Sequence, residues 1–168
     1  LPAPVVAIVP GASKASKRWS PANFAEVAHH LSKKYGGSTV LLGSPLEHDI
    51  LAKVLEAASS PIRNLVDEGL TLEKLRGVIA CSNLLITNDT GPRHLAAAFG
   101  TPTVALFGPT DHRWTTLPGV EESQLLAEPF LDEARIADHY PDVCRIDRIG
   151  IGDVIFHASR TLSSRTYP

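Results

Sequence analysis

The sequence predicts an α/β chain: a Rossmann-like open parallel sheet, doubly wound, with helices on both faces. Three observations carry that expectation. Five short runs are apolar on both faces rather than alternating, as strands are when helices cover both sides of a sheet. The segments between them repeat apolar residues at helical spacing. Strands and helices alternate along the chain, and right-handed crossovers then give a parallel sheet.

The first strand is Val5 to Val9, stopped by Pro10-Gly11. Ser20-Pro21 supplies an N-cap and a first-turn proline for a helix whose stripe is Phe24, Val27, Ala28, Leu31 and Tyr35, ended by Gly36-Gly37. The second strand is Thr39 to Leu42. Ser44-Pro45 opens a helix with Ile50, Leu51, Val54, Leu55 and Ala58 on one face. A weaker third strand, Arg63 to Val66, precedes a helix begun by Thr71 and carrying Leu72, Leu75 and Ile79. Leu84 to Thr87 is the fourth strand, and Pro92 to Gly100 brackets the next helix. Thr103 to Phe107 is the fifth strand. Residues 109 to 149 are irregular apart from Gln124 to Ala127, read as a sixth strand, and a last helix runs from Asp153 to about Leu162.

A length of 168 residues suits one domain with a sizeable core, and 43% hydrophobic with 20% charged residues is the composition of a globular chain. A net charge of −2 with both signs interspersed argues against nucleic acid as a partner. Cys81 and Cys144 stand far apart and read as two reduced thiols in a cytoplasmic protein. No run is long enough to span a membrane. The chain contains no methionine, and Leu1 to Pro4 read as the remnant of a linker before a single domain over residues 5–168. The expectation is therefore an excised domain, or half of something larger.

In open parallel sheets, ligands bind beyond the carboxyl ends of the strands, where helix N-termini aim free N–H groups. The loops there are PGASKASKRWS, GSPLEHD, NDTGPRH and GPTDHRW. Their mixed charge suits a ligand with both phosphates and hydroxyls, such as a sugar nucleotide. Familiar phosphate motifs are absent: there is no GxGxxG, the first loop has Ser16 where a P-loop needs glycine, and Gly150-Ile151-Gly152 is followed by Ile155. No His, Cys or Asp cluster has zinc or calcium spacing; His29 and His30 face different sides of one helix. No metal ligand, cofactor or nucleophile–base pair is expected.

Each polar residue also has an ordinary structural account. Asp89 or Thr90 would cap a helix, a contribution of about 1 kcal/mol, which explains one or two polar residues but not the whole cluster Thr87-Asn88-Asp89-Thr90-Gly91-Pro92-Arg93-His94. His94, about one turn in, reads equally well as solvated or as facing the loop. Ser44-Pro45-Leu46-Glu47 fits the S-x-x-E capping box, and spacing alone favours that role for Glu47. Lys17-Arg18 reads as solvated charge, and Trp19 as a hydrophobic staple onto the helix that follows.

Taken together, PGAS…KRWS, LLGSPLEHD and ITNDTGPRHLAAAFGTPTVALFGPTD resemble the C-terminal half of glycosyltransferase family 9, which includes the lipopolysaccharide heptosyltransferases. The resemblance covers roughly residues 5 to 162 and is most specific from Thr87 to Asp111. It implies the C-terminal half of a GT-B fold, two Rossmann-like domains across a cleft with donor on this side. It implies that Lys17 contacts donor phosphate or sugar, Glu47 the adenosine ribose, and Asp89 sugar hydroxyls. Thr90 and Gly91 would offer N–H groups to the pyrophosphate, with His94 supporting them. Ser13, Asn88, Arg93 and Asp111 are further candidates on the same loops.

The implied reaction is inverting and metal-free transfer of heptose from ADP-heptose to the lipopolysaccharide inner core. The general base would lie in the absent N-terminal domain, so no catalytic residue is expected here. The chain alone should bind an ADP-sugar donor weakly and transfer nothing, with the acceptor reached through the missing domain. The resemblance implies a cytoplasmic protein, with room for peripheral association at the inner membrane. Between His112 and Asp147 only Cys144 matches the family's pattern. Two other readings remain open, a non-catalytic nucleotide-binding module and half of a sugar-nucleotide epimerase.

Overall fold

The apolar runs form strands β1 (Val5–Val9), β2 (Ser38–Leu41), β3 (Arg63–Asn64), β4 (Leu84–Asn88), β5 (Thr103–Phe107) and β6 (Glu122–Leu126). They make one six-stranded sheet of order β3-β2-β1-β4-β5-β6, and every pair is parallel. The helices are α1 (Pro21–Tyr35), α2 (His48–Ala57), α3 (Leu72–Cys81), α4 (Gly91–Phe99) and α5 (Ile151–Ser163). The structure is a computed structural model and describes residues 1–127, 130–132, 134–135, 139–140 and 142–165. Among them no helix is long and apolar enough to cross a membrane.

Alternate strand residues feed two layers. Val6, Ile8, Leu41, Leu84, Ile86, Val104 and Leu106 pack against α1, α2 and α5 through Phe24, Val27, Leu31, Leu51, Val54, Val154 and Leu162. Ala7, Val9, Val40, Leu42 and Leu85 face α3 and α4 through Ile79 and Ala96, with Leu75, Val78 and Leu95 at the margin. Burial on both faces is why the strands lack alternation in sequence.

Several boundaries move. β2 runs one residue earlier than the sequence suggests, and β3 keeps only Arg63–Asn64 because Glu68 and Gly69 return their N–H groups to Leu65 and Val66 in a turn. The sixth strand is real but lies at Glu122–Leu126, and α5 begins at Ile151 rather than Asp153. The helix opened by Ser44-Pro45 starts as a 3-10 turn, Pro45–Glu47, before α2. Thr71 accepts the Lys74 N–H as a cap at 3.2 Å, whereas Ser20 caps α1 without a side-chain bond. Gly36 takes φ 67° where α1 ends, its N–H bonded to Ser32 O at 2.8 Å.

Candidate functional site

Strand order reverses between β1 and β4, so the crevice of this sheet opens where their carboxyl ends part. Asn88 closes the floor of that crevice. Its Nδ2 donates to Pro10 O at 2.9 Å and Gly11 O at 3.3 Å, and its Oδ1 accepts the Trp19 N–H at 3.2 Å. The side chain is buried with donors and acceptor engaged, so Asn88 ties the first loop to β4 instead of facing a ligand. Trp19 stands just before the N-cap of α1 and Phe24 four residues after that cap, and their rings meet edge to face at 5.1 Å. That is the staple the sequence suggests, and the Trp19 indole N–H reaches Ile149 O at 3.1 Å.

Glu47 serves its cap with a single oxygen. Oε2 accepts from Ser44 N–H at 2.8 Å and Ser44 Oγ at 2.9 Å. Oε1 lies over the end of β1: a Cβ built on Gly11 would meet it at 1.7 Å, and one on Gly43 would meet Oε2 at 3.3 Å. Two loops are therefore shaped around this carboxylate by residues without side chains. Beside it, Gly43, Ser44, Pro45, Leu70, Thr71 and Leu75 border a cavity of about 180 Å³. The role of Gly11 was not read from the sequence, although both β1 and the β2 run end in glycine within reach of an S-x-x-E box.

On the other side of the crevice, Thr90 is the N-cap of α4, yet no side chain caps the helix. Asp89 does not bond a first-turn N–H; its Oδ1 accepts from Arg93 Nη1 at 3.3 Å. The Thr90 hydroxyl meets the Thr87 hydroxyl at 3.3 Å. Thr90 and Gly91 N–H groups thus meet no acceptor among the described residues. His94 is exposed one turn along the helix.

Two further candidates prove to be internal. Arg93 is wholly buried, forked onto Glu122 (Nε–Oε2 2.6 Å, Nη2–Oε1 2.8 Å) and bonded to Thr115 O at 2.7 Å, with the Phe107 ring 4.8 Å from its guanidinium. Asp111 is 1% exposed and accepts the Arg113 N–H at 3.1 Å and Nε at 2.8 Å, capping the 3-10 turn His112–Thr115. Neither carboxylate nor guanidinium is offered to the rim: Asp111 is consumed by its loop neighbour Arg113, and Arg93 by partners far along the chain. Glu122 and Thr115 carried no signal: they lie 29 and 22 residues from Arg93.

Lys17 ends the 3-10 turn Ala15–Lys17 in the first loop, half-buried, and Ser13 is exposed just before it. Cys144 lies beside Gly108 just past the end of β5, its backbone O 2.4 Å from where a Cβ on Gly108 would stand, and burial pushes its thiol pKa up. That thiol is structural, not reactive. A larger hollow, about 570 Å³, lies against α3 between Val5, Leu65, Leu70 and Val78. It is apolar and holds none of the candidates, so size and chemistry disagree; the convergent polar groups decide for the rim.

The sequence profile described as "Glycosyltransferase family 9 (heptosyltransferase)" matches residues 1–134. Lipopolysaccharide heptosyltransferase 2 of Salmonella typhimurium is 37% identical over 117 residues, which is 67% of this chain and 33% of that protein. The chain thus spans about a third of the length of the curated relatives it matches. The structure of E. coli ADP-heptose lps heptosyltransferase II superposes with a TM-score of 0.81 at 27% identity, covering 96% of this chain and 47% of that one. A glycosyltransferase family 9 structure from Veillonella parvula gives 0.82 at 24% identity over 96% of this chain and 46% of that one, which shows the shared fold.

Proposed function

The chain belongs to glycosyltransferase family 9, and from that premise we propose that it is the donor-binding half of an inverting heptosyltransferase. The observation that carries this is Glu47. A capping box needs one carboxylate oxygen, and the other is given room by Gly11 at the end of the neighbouring strand β1. An acceptor pair of that kind, beside a small slot of Leu70, Leu75 and Pro45, suits a nucleoside whose ribose hydroxyls meet the carboxylate while its base enters the slot.

The diphosphate then runs toward α4. Thr90 and Gly91 N–H groups, at the positive end of the helix dipole, and the Lys17 ammonium balance its charge. The same groups stabilise the negative charge that grows on the departing nucleotide as the glycosidic bond forms. Asp89, with Oδ2 free of partners among the described residues, accepts hydroxyls of the donor sugar, and His94 flanks it. Deprotonating the acceptor hydroxyl falls to a base outside residues 1–168, so this chain binds donor and does not transfer. The relative's name supports lipopolysaccharide as the acceptor, and the structural relative's title supports ADP-heptose as the donor.

Calorimetric titration with ADP, UDP and ADP-heptose tests the reading. Tightest binding of ADP-heptose is expected. No binding of any nucleotide at millimolar concentration sinks it. Asp89→Ala should reduce ADP-heptose affinity to that of ADP while leaving the melting temperature within a few degrees; a loss of stability alone would return Asp89 to a structural role.

A further inference from the structure

We propose that Arg93 is a positioning residue that fixes the Asp89 carboxylate for the donor sugar, holding Oδ1 and leaving Oδ2 without a partner among the described residues. The proposal rests on the reading of Asp89 given above. Arg93 is the third residue of α4, in the first turn, where the helix dipole disfavours a cation. Helix stability therefore supplies no reason for an arginine there.

Packing supplies none either. Burying Arg93 against Glu122, whose side chain is 5% exposed, removes two charges from water, and apolar residues of similar volume generally serve such a contact as well or better. What the guanidinium does provide is direction. Its planar fork engages Glu122 through Nε and Nη2, while Nη2 also reaches Thr115 O and Nη1 turns to Asp89. One side chain thus locks the start of β6 and the turn after β5 to the carboxylate at the head of α4. A lysine, with one ammonium, could not span these partners in one plane. Of the three charges, Arg93, Glu122 and Asp89, one negative charge is left over, and Asp89, 12% exposed, is the member that reaches the rim.

The test compares ADP-heptose with ADP on the same chain by calorimetry, reading the ratio of the two affinities. Arg93→Met combined with Glu122→Gln removes both buried charges, so neither is left alone. This double variant should melt within a few degrees of the parent and bind ADP within about twofold, while the ratio falls about tenfold, the scale of one charge-assisted hydrogen bond. Glu122→Gln alone, which leaves Arg93 on Asp89, should keep most of the ratio. If the double variant does not melt cooperatively, Arg93→Lys gives the same reading, since it retains the charge and loses the fork. A folded variant with the parent's ratio overturns the role of Arg93 while leaving Asp89 intact. A parent ratio near one rejects the reading of Asp89 itself, and the proposal with it.

Discussion

Glu47 and Asp89 stand on the same rim, but Glu47 takes its partners from Ser44, three residues away, whereas the arginine that holds Asp89 is itself anchored 22 and 29 residues further along. The first carboxylate is placed by a local motif and by the space two glycines leave. The second is placed by the closing of the sheet, because Glu122 reaches Arg93 only once β6 has paired with β5. Local placement tolerates change elsewhere in the chain; long-range placement couples the site to the stability of the sheet edge.

Glu122→Ala would test that contrast most severely. It leaves the buried Arg93 guanidinium with Asp89, at 3.3 Å, as its remaining carboxylate partner, a loss of about 3–5 kcal/mol. In a chain of this size the melting temperature should fall by roughly 10 °C in a thermal scan. A shift under about 2 °C would mean that the buried pair does not anchor this corner.

Gly11→Ala should act on the other carboxylate with the opposite signature. Its new Cβ would sit 1.7 Å from Glu47 Oε1, so the carboxylate must swing away. ADP affinity is expected to drop about tenfold, near 1.4 kcal/mol, with little change in melting. Unchanged ADP binding would show that Oε1 is not part of the nucleotide site.

The smallest effect is expected at an ion pair that is both local and exposed, Arg145 with Asp147. Hydrogen bonding from Arg145 holds the Asp147 carboxyl below its ordinary pKa. Its stabilisation is thus fully present above the unfolded carboxylate value of about 4 and is lost as pH falls through the lower folded value. Exposure and salt screen it, so Asp147→Asn should change the melting temperature by no more than about 2 °C at pH 7 and by nothing near pH 2. A larger shift would make exposed local pairs comparable to the buried one at Arg93.

The same division governs what could be read in advance. The strands β1, β4 and β5, the staple of Trp19 on Phe24 and the S-x-x-E box depend on residues within a few positions of one another, and each stands where the sequence suggests. The cap expected of Asp89 or Thr90 is absent, because Asp89 turns to Arg93 and Thr90 to Thr87. Asn88, Arg93 and Asp111 look from the sequence like ligand-facing groups on a polar loop. Their partners, Pro10, Gly11 and Trp19 for the first, Glu122 and Thr115 for the second, Arg113 for the third, draw all three inward.

The sequence alone determined that this chain winds a parallel sheet with helices on both faces and gathers its polar loops at the carboxyl ends of the strands. Apolar periodicity and turn chemistry are properties of neighbours along the chain, and they suffice for that. Only the tertiary structure decided which of the loop's polar groups remain at the rim. Arg93 is withdrawn because a residue 29 positions along the chain becomes its partner, and that meeting is created by the pairing of β6 with β5.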